Sequence, residues 1–281
     1  MADQSRPDIC IVGAGALGIA LAQHARSLGA GVMLVDRGMP ELGDGPQQAL
    51  KLAALRASAA KAHDVRSSAP FGITTGAAKI SMRAVQERAL SVAREVAPSL
   101  SRERLAALGI EVVRGETRFI DANTLSVAGV SYRARAIVLA TGALPMVPSI
   151  PGLAEIEFFT PDTILENTRK LTHLLVIGGD EAALSFSQTA VRLGAEVTYV
   201  PQGRALPHYD SETAAILLNA ISTEGVRILD GASVTEIIPR AQGTGAVVTL
   251  SDGNMQSLDV SHVLVAAGRS PDVSALDMEK A

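Results

Sequence analysis

Residues 8–36 read DICIVGAGALGIALAQHARSLGAGVMLVD, and residues 173–201 read HLLVIGGDEAALSFSQTAVRLGAEVTYVP. The two superpose without a gap at an offset of 165. Gly13 meets Gly178, Gln23 meets Gln188, Leu28-Gly29-Ala30 meets Leu193-Gly194-Ala195 and Val35 meets Val200. Each copy holds a short β-branched run, a Gly-rich turn, an Ala/Leu-rich stretch with helical spacing, a Leu-Gly-Ala stop and a second apolar run. That order is the sequence form of a βαβ unit. The predicted fold class is therefore α/β, with two Rossmann-like βαβ nucleotide-binding domains, the second inserted after the first.

The segments outside the repeat fill in this plan. Pro46 to about Lys61 is helical by periodicity, and Ser81 to Leu108 reads as further helix interrupted at Pro98. Thr117 to Val127 and Ala136 to Ala140 are strand-like, with Asp121-Ala122-Asn123 as a turn. Three prolines between Pro145 and Gly152 mark a linker, which places a boundary near Ser149. Residues 1–149 then form the first domain, 150–272 the second, and 273–281 begin a return to the first. Within the second, a helix is expected from Ser211 to Glu224 with Asp210 as its N-cap. Strands follow at Arg227–Leu229, Val234–Pro239 and Val247–Leu250, and the domain closes with Val263 to Arg269. The last twelve residues show no pattern of their own.

Composition narrows the class of function. With 47% apolar against 19% charged residues, 281 residues suffice for about two globular domains. A net charge of −4 without a polybasic run excludes the electrostatic footprint of a nucleic-acid or anionic-membrane binder. The single cysteine, Cys10, allows no internal disulfide, CxxC pair or multi-cysteine zinc site. It lies inside the first strand, where a buried, inert thiol is expected. No signal-peptide pattern and no apolar run of about 18 residues is seen, so a cytoplasmic protein is expected. His24, His63, His173, His208 and His262 lack zinc-type spacing, and Ser185 and Ser187 read as helix faces rather than nucleophiles.

The first turn, Gly13-Ala-Gly15-Ala-Leu-Gly18, matches G-x-G-x-x-G after a strand and before a helix, with Asp36 ending the next strand. In a dinucleotide site Gly13 permits the tight turn, Gly15 lets backbone approach a pyrophosphate and Gly18 lets helix and strand pack. The helix N-terminus offers free N–H groups to the anion, and Asp36 accepts hydrogen bonds from a ribose. The alternative is a βα turn that uses glycine only for packing.

The second turn departs from this pattern. Gly178 is kept and Ala183 is an accepted third residue, but Asp180 stands at the middle glycine and Pro201 at the acid. A carboxylate about 4 Å from a phosphate charge at an effective dielectric of ~20 costs ~4 kcal/mol, roughly a thousandfold in affinity. Pro201 removes the 2′-hydroxyl acceptor that favours NADH, whereas Arg204 is placed to meet the 2′-phosphate of NADPH or simply to be solvated. A retained fold with an impaired nicotinamide site is the leading reading.

With the two turns, Ala140-Thr141-Gly142, the proline-rich linker and Ala267-Gly268-Arg269-Ser270-Pro271 all in order, the chain resembles the FAD-dependent pyridine nucleotide-disulfide oxidoreductases. It is nearest to dihydrolipoamide dehydrogenase and mercuric reductase, from Asp8 to about Lys280. The resemblance implies FAD in the first domain, held by Gly13, Gly15, Gly18, Asp36, Thr117, Thr141 and Gly142. It implies NAD(P)H in the second, at Gly178, Ala183 and Arg204. The family's cysteine pair is missing, with Leu42-Gly43-Asp44 in its place. Gln48 and Ser185 stand where a lysine–glutamate pair is usual, and losing both avoids leaving one buried charge unpaired. The resemblance also implies a returning FAD-domain segment and a dimerisation domain beyond Ala281. Poor monomeric behaviour is therefore expected, with association into a homo-oligomer or with a second chain. Two functions stay open: hydride transfer from NAD(P)H through FAD to a small-molecule electron acceptor, or non-catalytic FAD binding as a scaffold. A fragment of a longer enzyme is a third reading.

Overall fold

The structure is a computed structural model that describes residues 6–37, 44–96 and 100–281. Pro98 and Leu42-Gly43, on which a helix break and part of the missing cysteine motif were placed, lie outside the described residues, as does the side chain of Asp44. The chain runs β1 (Ile9–Val12), α1 (Ala16–Ser27), β2 (Val32–Asp36), α2 (Asp44–Arg66), α3 (Met82–Val96), α4 (Arg102–Ala107), β3 (Glu111–Arg114), β4 (Thr117–Asp121), β5 (Thr124–Val127) and β6 (Val130–Arg133). Strands β7 (Ala136–Leu139) and β8 (Ala143–Pro145) follow, then β9 (His173–Ile177), α5 (Glu181–Arg192), β10 (Glu196–Val200), α6 (Ser211–Thr223) and β11 (Val226–Ile228). The last strands are β12 (Ser233–Pro239), β13 (Thr244–Thr249), β14 (Met255–Val260), β15 (His262–Val265) and β16 (Arg269–Pro271).

Two compact units result. Met1–Leu50, Ser91–Leu144 and Ser270–Ala281 form the first; Lys51–Leu90 and Pro145–Arg269 form the second. The division therefore falls at Leu144 rather than near Ser149. Most of α2 and α3 groups with the second unit because Leu55 and Ala59 pack into the cluster that holds Leu174, Val176 and Phe186.

Each unit is a three-layer sandwich around a four-stranded parallel sheet, ordered β3-β2-β1-β7 in the first and β11-β10-β9-β15 in the second. Alternation along the buried strands explains the layers. Ile11 and Leu34 face the helical side with Ile19, Ala22 and Leu105, while Cys10, Val12, Met33 and Val35 face Phe119, Leu125 and Val127 of the β4-β5-β6 meander. In the second unit Leu174, Val176 and Val197 face α5, while Leu175, Ile177 and Val200 face Val234, Ala246 and Val248 of the β12-β13-β14 meander. The repeat thus extends beyond the βαβ units to a matching antiparallel layer. Sequence patterning missed its third strands, β6 and β14, because their alternation is weak and half exposed.

Local chemistry sets the ends of these elements. Asp121 accepts the Asn123 N–H at 2.8 Å, which forms the expected turn between β4 and β5. Asp210 caps α6 by accepting from the Glu212 and Thr213 N–H groups. Cys10 is fully buried, and burial first, with the charge of Glu111 second, pushes its thiol up to about 12, so it stays protonated and unreactive. Among the described residues no helix is long and apolar enough to cross a membrane, and no three His, Cys, Asp or Glu side chains gather into a metal site.

Candidate dinucleotide site

In the first unit the strand order reverses between β1 and β7, and the chain leaves both strands at the same sheet end. Gly13 follows β1 and Ala140-Thr141-Gly142 follows β7, which is where open α/β sheets take ligands. Gly13 adopts φ +116, and a Cβ there would stand 2.2 Å from the Ala140 carbonyl oxygen. A Cβ on Gly18 would stand 1.9 Å from the Gly13 carbonyl oxygen. These two glycines are demanded by the protein's own packing. Gly15 is not: its φ is −74, and a Cβ there would meet nothing within 4 Å. Space beside Gly15 is open to a ligand.

That space belongs to a crevice of about 530 Å³ lined by Gly13, Gly15, Asp36, Thr117, Thr141 and Gly142. The sequence-derived residues converge there, except Gly18, which supports the turn from behind. Gly15 is the N-cap of α1 and supplies no side-chain bond, and the first turn carries no acid, so the leading N–H groups have no carboxylate of their own. Asp36 is 5% exposed, and its Oδ2 has no hydrogen-bond partner among the described residues. Arg114 Nε lies 3.4 Å from it, an ion pair without hydrogen-bond alignment. Asp36 lines the crevice, and a carboxylate there fits a ribose hydroxyl donor.

Sequence reasoning missed the far wall. Arg37, Glu116, Arg118, Ala275 and Leu276 also line the crevice. The last twelve residues, which carry no periodic pattern, belong to the first unit, where Phe119 N–H donates to the Leu276 carbonyl at 2.9 Å. The segment is too short and irregular to carry a periodic signal.

The second turn keeps the backbone and changes the chemistry. Gly178 N–H donates to the Val200 carbonyl just as Gly13 N–H donates to that of Val35. A Cβ on Gly178 would stand 1.8 Å from the Ala266 carbonyl oxygen. Ala183, fully buried, occupies the position of Gly18. Asp180 is the N-cap of α5, and its Oδ1 accepts the Ala183 N–H at 2.9 Å, with Glu181 adding a second carboxylate to the first turn. The helix N-terminus is neutralised by its own side chain. The cap was legible in principle, since Asp directly before a helix is a preferred N-cap.

The loop after β10 closes over this turn. Leu206 N–H donates to the Gly179 carbonyl at 2.7 Å and Ala205 N–H to Asp230 Oδ1 at 2.7 Å. Arg204 is exposed on that loop. Tyr199 is fully buried with its hydroxyl unpartnered among the described residues. Burial, then the charges of Asp180 and Asp230, push its pKa up, so it remains a neutral phenol.

The family model of the pyridine nucleotide-disulphide oxidoreductases matches residues 7–281. Mercuric reductase of Staphylococcus aureus is 27% identical over 281 residues, covering 98% of this chain and 50% of that protein. Dihydrolipoyl dehydrogenase of Thermus scotoductus is 33% identical over 183 residues, covering 61% of this chain and 38% of that protein. The solved structure of the HOCl-induced flavoprotein disulfide reductase RclA from Escherichia coli superposes with a TM-score of 0.77 at 22% identity, covering 98% of this chain and 59% of that one. The chain spans about half the length of the mercuric reductases it matches.

Proposed function

Because the chain belongs to the pyridine nucleotide-disulphide oxidoreductase family, we propose that its first unit binds FAD and that it works as an FAD-dependent oxidoreductase without a protein disulfide. The observation that carries the cofactor assignment is the pairing of an α1 N-terminus without a side-chain cap with the Asp36 carboxylate, whose Oδ2 accepts no hydrogen bond among the described residues, on one crevice. Free N–H groups at the start of α1 hold a pyrophosphate, Asp36 holds the adenosine ribose, and Thr117 with Thr141-Gly142 bound the ends. The chemistry that a flavin supplies there is uptake of a hydride from a reduced nicotinamide and delivery of two electrons to a small acceptor such as oxygen, a quinone or a metal ion. Cys10, as the chain's lone cysteine, leaves no internal dithiol to relay them.

A second reading, non-catalytic FAD binding, is favoured by one observation: Asp180 occupies the α5 N-terminus where a nicotinamide dinucleotide's pyrophosphate is held in the ordinary pose. An anaerobic titration of FAD-reconstituted protein with NADPH and then NADH, following the flavin's visible band, separates the two. Bleaching supports the reductase, with Arg204 predicting a preference for NADPH. A flavin that binds and stays oxidised supports the binding protein, and failure to retain FAD overturns both.

A further inference from the structure

The returning segment from Pro271 to Leu276 has little regular structure, so its position depends on a few anchors. Asp272 N–H donates to the Gly142 carbonyl at 3.1 Å, and the Leu276 carbonyl accepts from Phe119 N–H at 2.9 Å. Between these, Arg37 Nη1 donates to Asp272 Oδ2 at 2.9 Å, with the Asp272 side chain 13% exposed and that of Arg37 55%. Arg37 immediately follows Asp36, and Gly142 belongs to the turn after β7, so Asp272 bonds to both of these segments. Leu276 is buried against the meander and lines the crevice with Ala275, whereas Asp272 is not among the lining residues.

We propose that Arg37 and Asp272 form a latch that holds Pro271–Leu276 as a wall of the dinucleotide crevice and thereby sets the residence time of the bound cofactor. This rests on the reading of the first unit as an FAD site. A ligand leaves a walled crevice when the wall moves, and removing one of the anchors raises the frequency of that motion. The effect therefore belongs to the off-rate, with association little changed. Asp272 is a positioning residue: it acts on the wall and not on the cofactor. An ion pair with one partner near solvent is also screened by salt.

The test uses the full chain and follows FAD release by recovery of flavin fluorescence after large dilution into flavin-free buffer. Asp272→Ala and Arg37→Ala are each expected to speed release about tenfold, as loss of a charge-assisted hydrogen bond implies. The double variant is expected to be no faster than either, and Arg37→Asp combined with Asp272→Arg to recover most of the residence time. Raising salt should speed release in the unsubstituted chain but not in the double variant, a readout that needs no altered fold. Lys280→Ala, which removes only the exposed pair with Asp277, serves as control. Release unchanged by Asp272→Ala, or effects that multiply in the double variant, overturn the latch. If Asp36→Ala weakens FAD while the latch variants behave like the parent chain, the latch falls and the FAD site stands. If the parent chain holds no FAD, both fall.

Discussion

The two glycine turns, 165 residues apart, share a backbone and differ in who supplies the negative charge. In the first, α1 begins at Gly15 with nothing within 4 Å of its missing Cβ and no acid in its first turn. In the second, the equivalent residue is Asp180, whose carboxylate already accepts from the α5 N-terminus. A carboxylate at a helix N-terminus gains cap energy and adds negative charge where a ligand anion would otherwise be stabilised. The same repeat thus yields one helix start without a carboxylate and one that is capped by its own.

The largest effect is expected where the two turns are alike. Gly13→Ala and Gly178→Ala each drive a methyl into a backbone carbonyl, at 2.2 and 1.8 Å, from a positive φ. Each should cost about 3–4 kcal/mol or more, read as a shift in urea midpoint. If one is tolerated, the two turns do not share the packing that defines the repeat.

Exchanging the differing residue tests what separates them. Gly15→Asp should weaken FAD roughly a thousandfold by placing a carboxylate beside the pyrophosphate, while stability holds or rises with the new cap. Asp180→Gly should cost only a few tenths of a kcal/mol, and nicotinamide nucleotide affinity should rise more than tenfold if the rest of the turn is intact. Calorimetric titration checks both. No gain on Asp180→Gly means that the loop carrying Leu206 also blocks the site.

A further difference between the two units concerns acid. In the second unit Glu224 accepts from Arg192 at 2.5 and 2.6 Å and from Gln188 at 2.8 Å, with His63 3.7 Å away. The Arg192 hydrogen bond, foremost, holds the Glu224 carboxyl below its ordinary 4.5 against the opposing cost of burial. Ser27 stands at the position of Arg192 in the first unit and donates to the His24 carbonyl. A lowered folded value means that stability from Glu224 is fully present above about pH 4.5 and is lost as pH falls through that lower value. Glu224→Gln should therefore cost about 2 kcal/mol at neutral pH, with the difference from the parent narrowing as pH falls below about 4.5. A gap that does not narrow in acid refutes the ionic account.

Much of the first site was legible because glycine and carboxylate roles are local: Gly13, Gly15, Asp36, Thr141 and Gly142 line one crevice. Less legible were Arg37, Arg118, Asp272 and Leu276, since their importance arises only when the chain end returns beside β4. The third strands β6 and β14 were missed for a related reason. Their pairing partners, more than their own patterns, make them strands.

By itself the sequence determined the two βαβ units, their offset and the buried, inert thiol of Cys10. Each follows from residue identity at short range, where φ, side-chain size and charge decide. The tertiary structure alone decided that Asp36 is buried beside Arg114 with no hydrogen bond to its Oδ2, and that residues from five separate segments line one crevice. Those outcomes depend on which groups meet after folding, and hydrogen-bond partners across such distances are chosen by packing rather than by spacing.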